Sequence, residues 1–302
     1  MFKNYLKVAL RNLWKNKAFS TINIVGLATG LAVCLLIVLY VVDELSYDKY
    51  NVNADRIYRI DADIFFNNTS AMFAVGPDPL APALKRDFPE VEEITRINYQ
   101  GGILVKKDNQ NVQDDHAAFA DSTFFKVFTV PMIEGNPFTA LKEPNSIVID
   151  ETTAKKYFNS THVLGKTLYV DNTTNCKITG VIKDIPKQSH FHFSFIRPRG
   201  KDRDSWLSNN TFNYVLVRPG VSKEKLQKDV DATINNYLGK ELQEVLHSSL
   251  QDLQTKGNHF IYHATPVTDI HLHSDKSYEM EANGNITYVY IFKNFSRLNH
   301  FN

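Results

Sequence analysis

Residues 22–42 read INIVGLATGLAVCLLIVLYVV, and the class of the molecule turns on them. No charged residue occurs from Ala18 to Val42. As a helix, Ile22 to Val42 would rise roughly 30 Å, enough to cross the hydrocarbon core of a bilayer. A buried core helix is rarely apolar on every face for so long. The spacing predicts a transmembrane helix over 18–42.

The flanks set an orientation. Lys3, Lys7, Arg11, Lys15 and Lys17 precede the run without an acid, and Asp43, Glu44 and Asp48 follow it. The positive-inside rule then puts the N-terminus in the cytosol and the rest of the chain outside. A cleaved signal peptide would have a shorter apolar region ending in small residues. Leu39-Tyr-Val-Val-Asp43 offers no such site, so an uncleaved anchor is predicted.

Upstream, FKNYLKVALRNLWKN (2–16) carries a second pattern. Phe2, Leu6, Leu10, Leu13 and Trp14 fall near one helical face, with the basic residues largely on the others. The reading is an amphipathic helix over 1–17, lying in the cytosolic interface with Trp14 as its anchor at headgroup depth. The alternative is a basic lead-in that only sets orientation. Within the span, Gly26, Gly30 and Cys34 recur every four residues and form a candidate helix-packing face. Its partner is either another copy or another helix.

Downstream of Val42 the chain, of 302 residues in all, reads as a large external domain. Its single cysteine, Cys176, cannot reach Cys34 in the membrane, so the domain relies on its own core. RIYRIDADIFF (56–66) alternates like a strand, and a helix is predicted from near Pro79 through Leu80, Leu84 and Phe88. EEITRINY and GILVKK follow as two strands. Then come a short helix in STFFKVF, a strand NSIVID, a helix 151–158 capped by Asp150, and a hairpin KTLYV-DNTTN-CKITGVI. HFHFSFI reads as a strand and residues 197–210 as an exposed charged loop. The last run is a strand TFNYVLV, a long helix from Ser222 and a strand through NHFIYHATPVTDIHLH. The fold class predicted is α+β: a split β-α-β subdomain (50–110 and 211–280) with an inserted mixed subdomain (111–210), within an external domain 43–286.

Chemistry-bearing motifs are few. STHVLGKT (160–167) ends like a phosphate-cradling loop, but Ser160 stands where the first glycine belongs. A helix precedes it and a strand follows, the reverse of what such a loop needs. Gly165 therefore reads as a turn and Lys166 as solvated. His190–His192 and His271–His273 could each pair on one face of a strand, yet no carboxylate or cysteine sits at helpful spacing. No nucleophile elbow and no external basic stripe is present. No enzyme, metal, cofactor or nucleic-acid partner is predicted.

The ordered set of segments resembles the permease subunits of MacB-like ABC transporters, also called FtsX-like or mechanotransmission permeases. The resemblance runs through NYLKVALRNLWKNKAFSTINIVGLATG, ADRIYRI, PLAPALKRDFPEVEEITRI, FFKVFTVPMIEGNPFTALKEPNSIVIDETTAKKYF, LGKTL, ITGVIKDIPKQSHFHFSF, TDIHLHSD and NGNITYVYIF. It implies an elbow helix, a first membrane helix and a periplasmic core domain in the bacterial inner membrane. It also implies a separate cytosolic ABC ATPase and a second permease copy or homologue as partners, beside membrane lipid. Such permeases relay ATP-driven movement to periplasmic domains acting on lipoproteins, peptides, drugs or cell-wall hydrolases. The family continues after ITYVYIF into a second membrane helix. Here KNFSRLNHFN follows, so residues 287–302 read as the start of a truncated second helix with an aberrant tail. The alternative function is a single-span anchored binding or sensor module.

Overall fold

The computed structural model describes residues 2–107 and 110–298. It divides into two compact units, Met1–Ser46 with Ile286–Asn302, and Tyr47–Asn285.

In the first unit, α1 (Phe2–Lys15) and α2 (Lys17–Glu44) are joined through the single residue Asn16. Helix α2 has 28 residues, none of them buried. At 1.5 Å per residue it is about 42 Å long. Its apolar side chains face outward on every side, the condition of a helix whose solvent is lipid. A Cβ added at Gly26 or Gly30 would meet no other atom within 4 Å among the described residues. A further helix, α10 (Ile286–Leu298), shares this unit, where the rings of Phe292 and Tyr40 meet edge-on at 5.7 Å. Residues 299–302 of the predicted tail, and Met1, lie outside the described residues.

The second unit is built on one mixed sheet. Its elements are, in chain order, β1 (Ile57–Phe66), β2 (Thr69–Phe73), β3 (Gly76–Pro77), α3 (Leu80–Asp87), β4 (Val91–Lys107), β5 (Gln110–Ala120) and α4 (Phe124–Val127). Then follow β6 (Met132–Gly135), β7 (Ser146–Asp150), α5 (Glu151–Phe158), β8 (Thr167–Val170), β9 (Thr174–Ile182) and β10 (Phe195–Pro198). The chain closes with β11 (Asn209–Val217), α6 (Lys223–Thr233), α7 (Gly239–Leu246), α8 (Leu250–Thr255), β12 (His259–Pro266) and α9 (Val267–His273). The strand order is β12-β1-β11-β4-β5-β10-β7-β9-β6, so the first and last strands of the unit lie side by side.

Alternation along the strands distributes the core. On β1 and β11, Tyr58, Ile60, Ala62, Val215 and Val217 pack under α3, α6 and α7. The opposite side carries Ile57, Phe212, Tyr214 and Leu216 into a second core with Phe124, Phe128, Phe191 and Phe193. A third core lies under α5, around Ile147, Ile149, Leu168, Ile178 and Phe195. Strand β4 serves all three, through Ile94, Ile97 and then Ile103 with Val105.

Helix caps behave as the side chains dictate. Asp150 accepts from the Thr153 N–H at 2.6 Å, and the Ser222 hydroxyl from the Lys225 N–H at 3.3 Å. From Ser222 the helix runs on through a π turn at Ile234–Leu238 into α7. The turn keeps Leu226, Val230, Ile234, Leu238 and Leu242 buried along one stripe.

Four expectations are corrected. The strands EEITRINY and GILVKK are one strand, β4, because Gly101 takes φ +73° and makes a bulge instead of a break. HFHFSFI pairs only from Phe195 on; Phe191 and Phe193 stack at 4.8 Å in the core, and the segment before Phe195 is held by side-chain hydrogen bonds. The strand through HATPVTDIHLH stops at Pro266, and α9 begins. Val267 and Ile270, three apart, bury one helical face there. Residues 197–210 are no free loop: Arg199 and Trp206 fold inward.

Candidate functional site

The second unit begins directly after α2's last turn and ends directly before α10. Its first and last residues are where the chain passes between the two units, and side-chain networks fasten both.

At the entering end, Asp48 takes a left-handed φ of +60° and its N–H donates to the Gln188 carbonyl at 2.9 Å. Its carboxylate Oδ1 lies 2.7 Å from His190 Nδ1 and accepts the His190 backbone N–H at 3.3 Å. His190 Nε2 is 2.8 Å from the Tyr214 hydroxyl on β11. The imidazole thus bridges Asp48 and Tyr214 through its two ring nitrogens. Asp48 and His190 are buried. The Asp48 Oδ2 oxygen has no hydrogen-bond partner among the described residues. Tyr50 hydroxyl meets Ser189 Oγ at 3.0 Å, and Tyr47 stacks on His271. Burial pushes the Tyr50 and Tyr214 hydroxyls above the usual phenol range, so both stay protonated.

At the leaving end, Glu279 accepts from Arg59 Nη1 at 2.5 Å and from Nη2 at 2.7 Å. Arg59 Nε also donates to Asp61 at 2.6 Å, and Nη2 to Ser274 Oγ at 3.1 Å. Arg59 and Asp61 share one face of β1, two residues apart, and both are buried. Burial would lower the Arg59 value, but the Asp61 and Glu279 carboxylates outweigh it and fix the positive charge. Burial would raise Glu279; hydrogen bonds from Arg59, and its charge, hold the carboxyl below its usual value instead. His192 contacts Glu281 at 3.1 Å through Nδ1 and the Pro186 carbonyl at 2.9 Å through Nε2. Backbone bonds add Ala74 N–H to Ser277 and Ser277 N–H to Met72.

The irregular segment 186–194 thus contacts both ends: Gln188, Ser189 and His190 grip the entering chain, and His192, braced by the Pro186 carbonyl, meets Glu281 of the leaving one. Arg59 and Tyr214 tie that clamp to β1 and β11, next to the β12 edge of the sheet. A buried ion pair of this kind adds little net stability, but losing one partner strands a charge. It fixes position more than it strengthens the fold.

A second ionic cluster pins the segment after β10. Arg96 donates bidentately to Asp121 at 2.9 and 3.1 Å and reaches Asp202 at 2.9 Å. Arg199 bonds Asp78 and, at 2.7 Å, Asn98. A polar cavity of about 520 Å³ opens beside it.

The predicted site residues fall elsewhere. Gly26, Gly30 and Cys34 lie along α2, and Trp14 is exposed on α1. The histidine pairs are separated in role: His190 and His192 bond different partners, and His271 and His273 sit on α9. Residues two apart on a helix point about 200° apart and cannot grip one ion. Among the described residues no group of three or more His, Cys, Asp or Glu side chains could hold a metal. Gly165 has φ +80° and turns the chain into β8, and the Lys166 ammonium lies 5.1 Å from the Phe158 ring centroid. The clamp itself was missed from sequence. Opposite charges two apart in Tyr58-Arg-Ile-Asp61, on a strand otherwise mostly apolar, are the signal that could have found it.

The model of the MacB-like periplasmic core domain matches residues 20–233, most of the chain. The chain belongs to that family, and it is a MacB-like component of the ABC transporter permease class, membrane-anchored with an extracytoplasmic domain. Among solved structures, a domain described as part of a permease protein from Porphyromonas gingivalis is similar, at 24% identity and a TM-score of 0.56, over 72% of this chain and 91% of that one. The periplasmic region of MacB from Actinobacillus actinomycetemcomitans matches at 12% identity and TM-score 0.45, over 70% and 89%. The extracellular domain of the noncanonic ABC-type transporter YknZ from Gram-positive bacteria matches at 12% and 0.42, over 68% and 99%. No curated protein matches the chain.

Proposed function

We propose that this chain relays movement from a cytosolic ABC ATPase, across the bacterial inner membrane, to its periplasmic domain. The observation that carries the reading is the clamp: Asp48 at the entering end and Glu281 at the leaving end are bonded to His190 and His192 of one segment, His190 also meets Tyr214 on β11, and Glu279 meets Arg59 on β1. A displacement of either membrane segment then reaches the sheet without being lost in a slack linker. The charge asymmetry about α2 supports a cytosolic N-terminus and a periplasmic domain. Helix α1 is the interfacial elbow, anchored by Trp14 and membrane lipid. Residues 50–110 and 211–280 form one split subdomain, with 111–210, which carries the clamp segment, inserted. Gly26, Gly30 and Cys34 form the face on which a second copy or a homologue packs. The moved substrate belongs to the extracytoplasmic lipoproteins, peptides or drugs.

Purification from native membranes in mild detergent tests this. An ABC ATPase subunit is expected with the chain in stoichiometric amount. Recovery of the chain without ATPase in every preparation would favour an anchored binding or sensor module.

A further inference from the structure

The bend between α1 and α2 leaves a groove. It is about 400 Å³ and is lined by Leu10, Leu13, Trp14, Lys17, Thr21 and Ile24, with Ser20 at its side. That volume is within the range of small-ligand sites, about 300–1,000 Å³. The spacing explains the groove. Residues 10, 13, 14 and 17 share one helical face, as do 17, 20, 21 and 24, and Lys17 belongs to both. The two faces meet at Asn16, so one apolar trough continues through the bend.

Its chemistry is graded. Leu10, Leu13 and Ile24 supply an aliphatic wall. Lys17, Ser20 and Thr21 supply a cation and two hydroxyls within about one turn at the start of α2. The Lys17 ammonium sits 5.1 Å from the Trp14 ring centroid, which holds it over the trough. No Asp or Glu occurs from residue 1 to 42, so its charge has no acidic partner within this stretch. An occupant that matches has an apolar chain and a negative head.

We propose that this groove is a binding site for one anionic phospholipid, its acyl chain against Leu10, Leu13 and Ile24 and its phosphate on Lys17 and the two hydroxyls. The site rests on the reading of α1 as an interfacial helix. It adds a defined lipid to what would otherwise be diffuse attraction between a basic helix and an acidic surface. A bound lipid would splint the bend that joins elbow and span.

Trp14 reports on the site. In the full chain carrying Trp206→Phe, reconstituted in vesicles, its fluorescence is quenched by lipid brominated on the acyl chain. Brominated phosphatidylglycerol is expected to quench more than brominated phosphatidylcholine at equal mole fraction. Lys17→Gln should reduce that preference roughly fivefold, the effect of one basic residue held near an anionic headgroup. Lys15→Gln, equally charged but on the opposite helical face, should leave it largely intact. Equal losses in the two variants would mean diffuse attraction and overturn the site. Equal quenching by both lipids would overturn it too, while leaving the interfacial helix standing. No quenching by either lipid would remove the interfacial reading itself. A readout without Trp206→Phe is the phosphatidylglycerol retained by the detergent-purified chain, by mass spectrometry; Lys17→Gln is expected to lose it and Lys15→Gln to keep it.

Discussion

Helix α2 and the clamp are opposites. One exposes its apolar residues along its whole length; the other buries Arg59, Asp61, Asp48 and His190. Each would be an error in an ordinary soluble domain, and each is explained by what surrounds it. Lipid makes exposure of Leu, Ile and Val favourable for α2. Reciprocal charges make burial tolerable in the clamp, provided every partner is in place. An apolar exterior is robust to single changes, whereas a buried charge network depends on each member. The contrast suits a machine in which the anchor only has to stay and the joint has to transmit.

The contrast can be broken most sharply at Arg59. Arg59→Ala leaves Asp61 and Glu279 buried without a cation, at a cost of about 3–5 kcal/mol. Urea unfolding of the chain in detergent, followed by Trp206 fluorescence, should show a large drop in midpoint; a midpoint within error of the parent would contradict the clamp. The next effect belongs to the other region. Leu31→Lys puts a charge at mid-span, where insertion loses about 2.5–3.5 kcal/mol. Alkaline extraction of membranes should then release a sizeable fraction of the chain. His190→Ala strands the buried Asp48 carboxylate and is expected to cost about 1–3 kcal/mol. His190→Gln, which can still donate to Asp48, should restore part of the loss.

A smaller effect follows from pH. The Glu279 carboxyl is depressed in the folded state. Its stabilisation is therefore complete above the ordinary carboxylate value of about 4.3 and is lost as pH falls through the lower folded value. Unfolding midpoints taken from pH 7 down to 3 should fall at the acid end, with a shallower fall in Glu279→Gln. Smallest of all is Gly30→Leu. It should leave domain unfolding unchanged and weaken helix pairing, read as a lower cross-linked dimer fraction.

How much could be read in advance follows the same division. The span was legible because its signal is local and one-dimensional: residues 18–42 carry no charge. The Asp150 and Ser222 caps and the Gly165 turn were legible for the same reason, since each depends on neighbours within a few residues. The clamp was not. Asp48 and His190 are 142 residues apart, and Arg59 and Glu279 are 220 apart, so only the sheet brings them together. HFHF alternates like a strand, but His190 is buried along with Phe191 and Phe193. DIHL fits a two-residue period as well as a helical one, and Pro266 decides between them. Gly101 reads as a stop between two strands, yet the chain bends through it and keeps pairing.

The most direct test of the central claim is a distance. Spin labels at Glu143→Cys in two copies of the chain, on a Cys34→Ser and Cys176→Ser background, would be measured by pulsed electron resonance with the ATPase bound. ATP binding is expected to shift the distance distribution between the two exposed labels, and Arg59→Met is expected to blunt that shift while the ATPase stays bound. An unchanged distribution with ATP, in a complex that hydrolyses it, would contradict the relay.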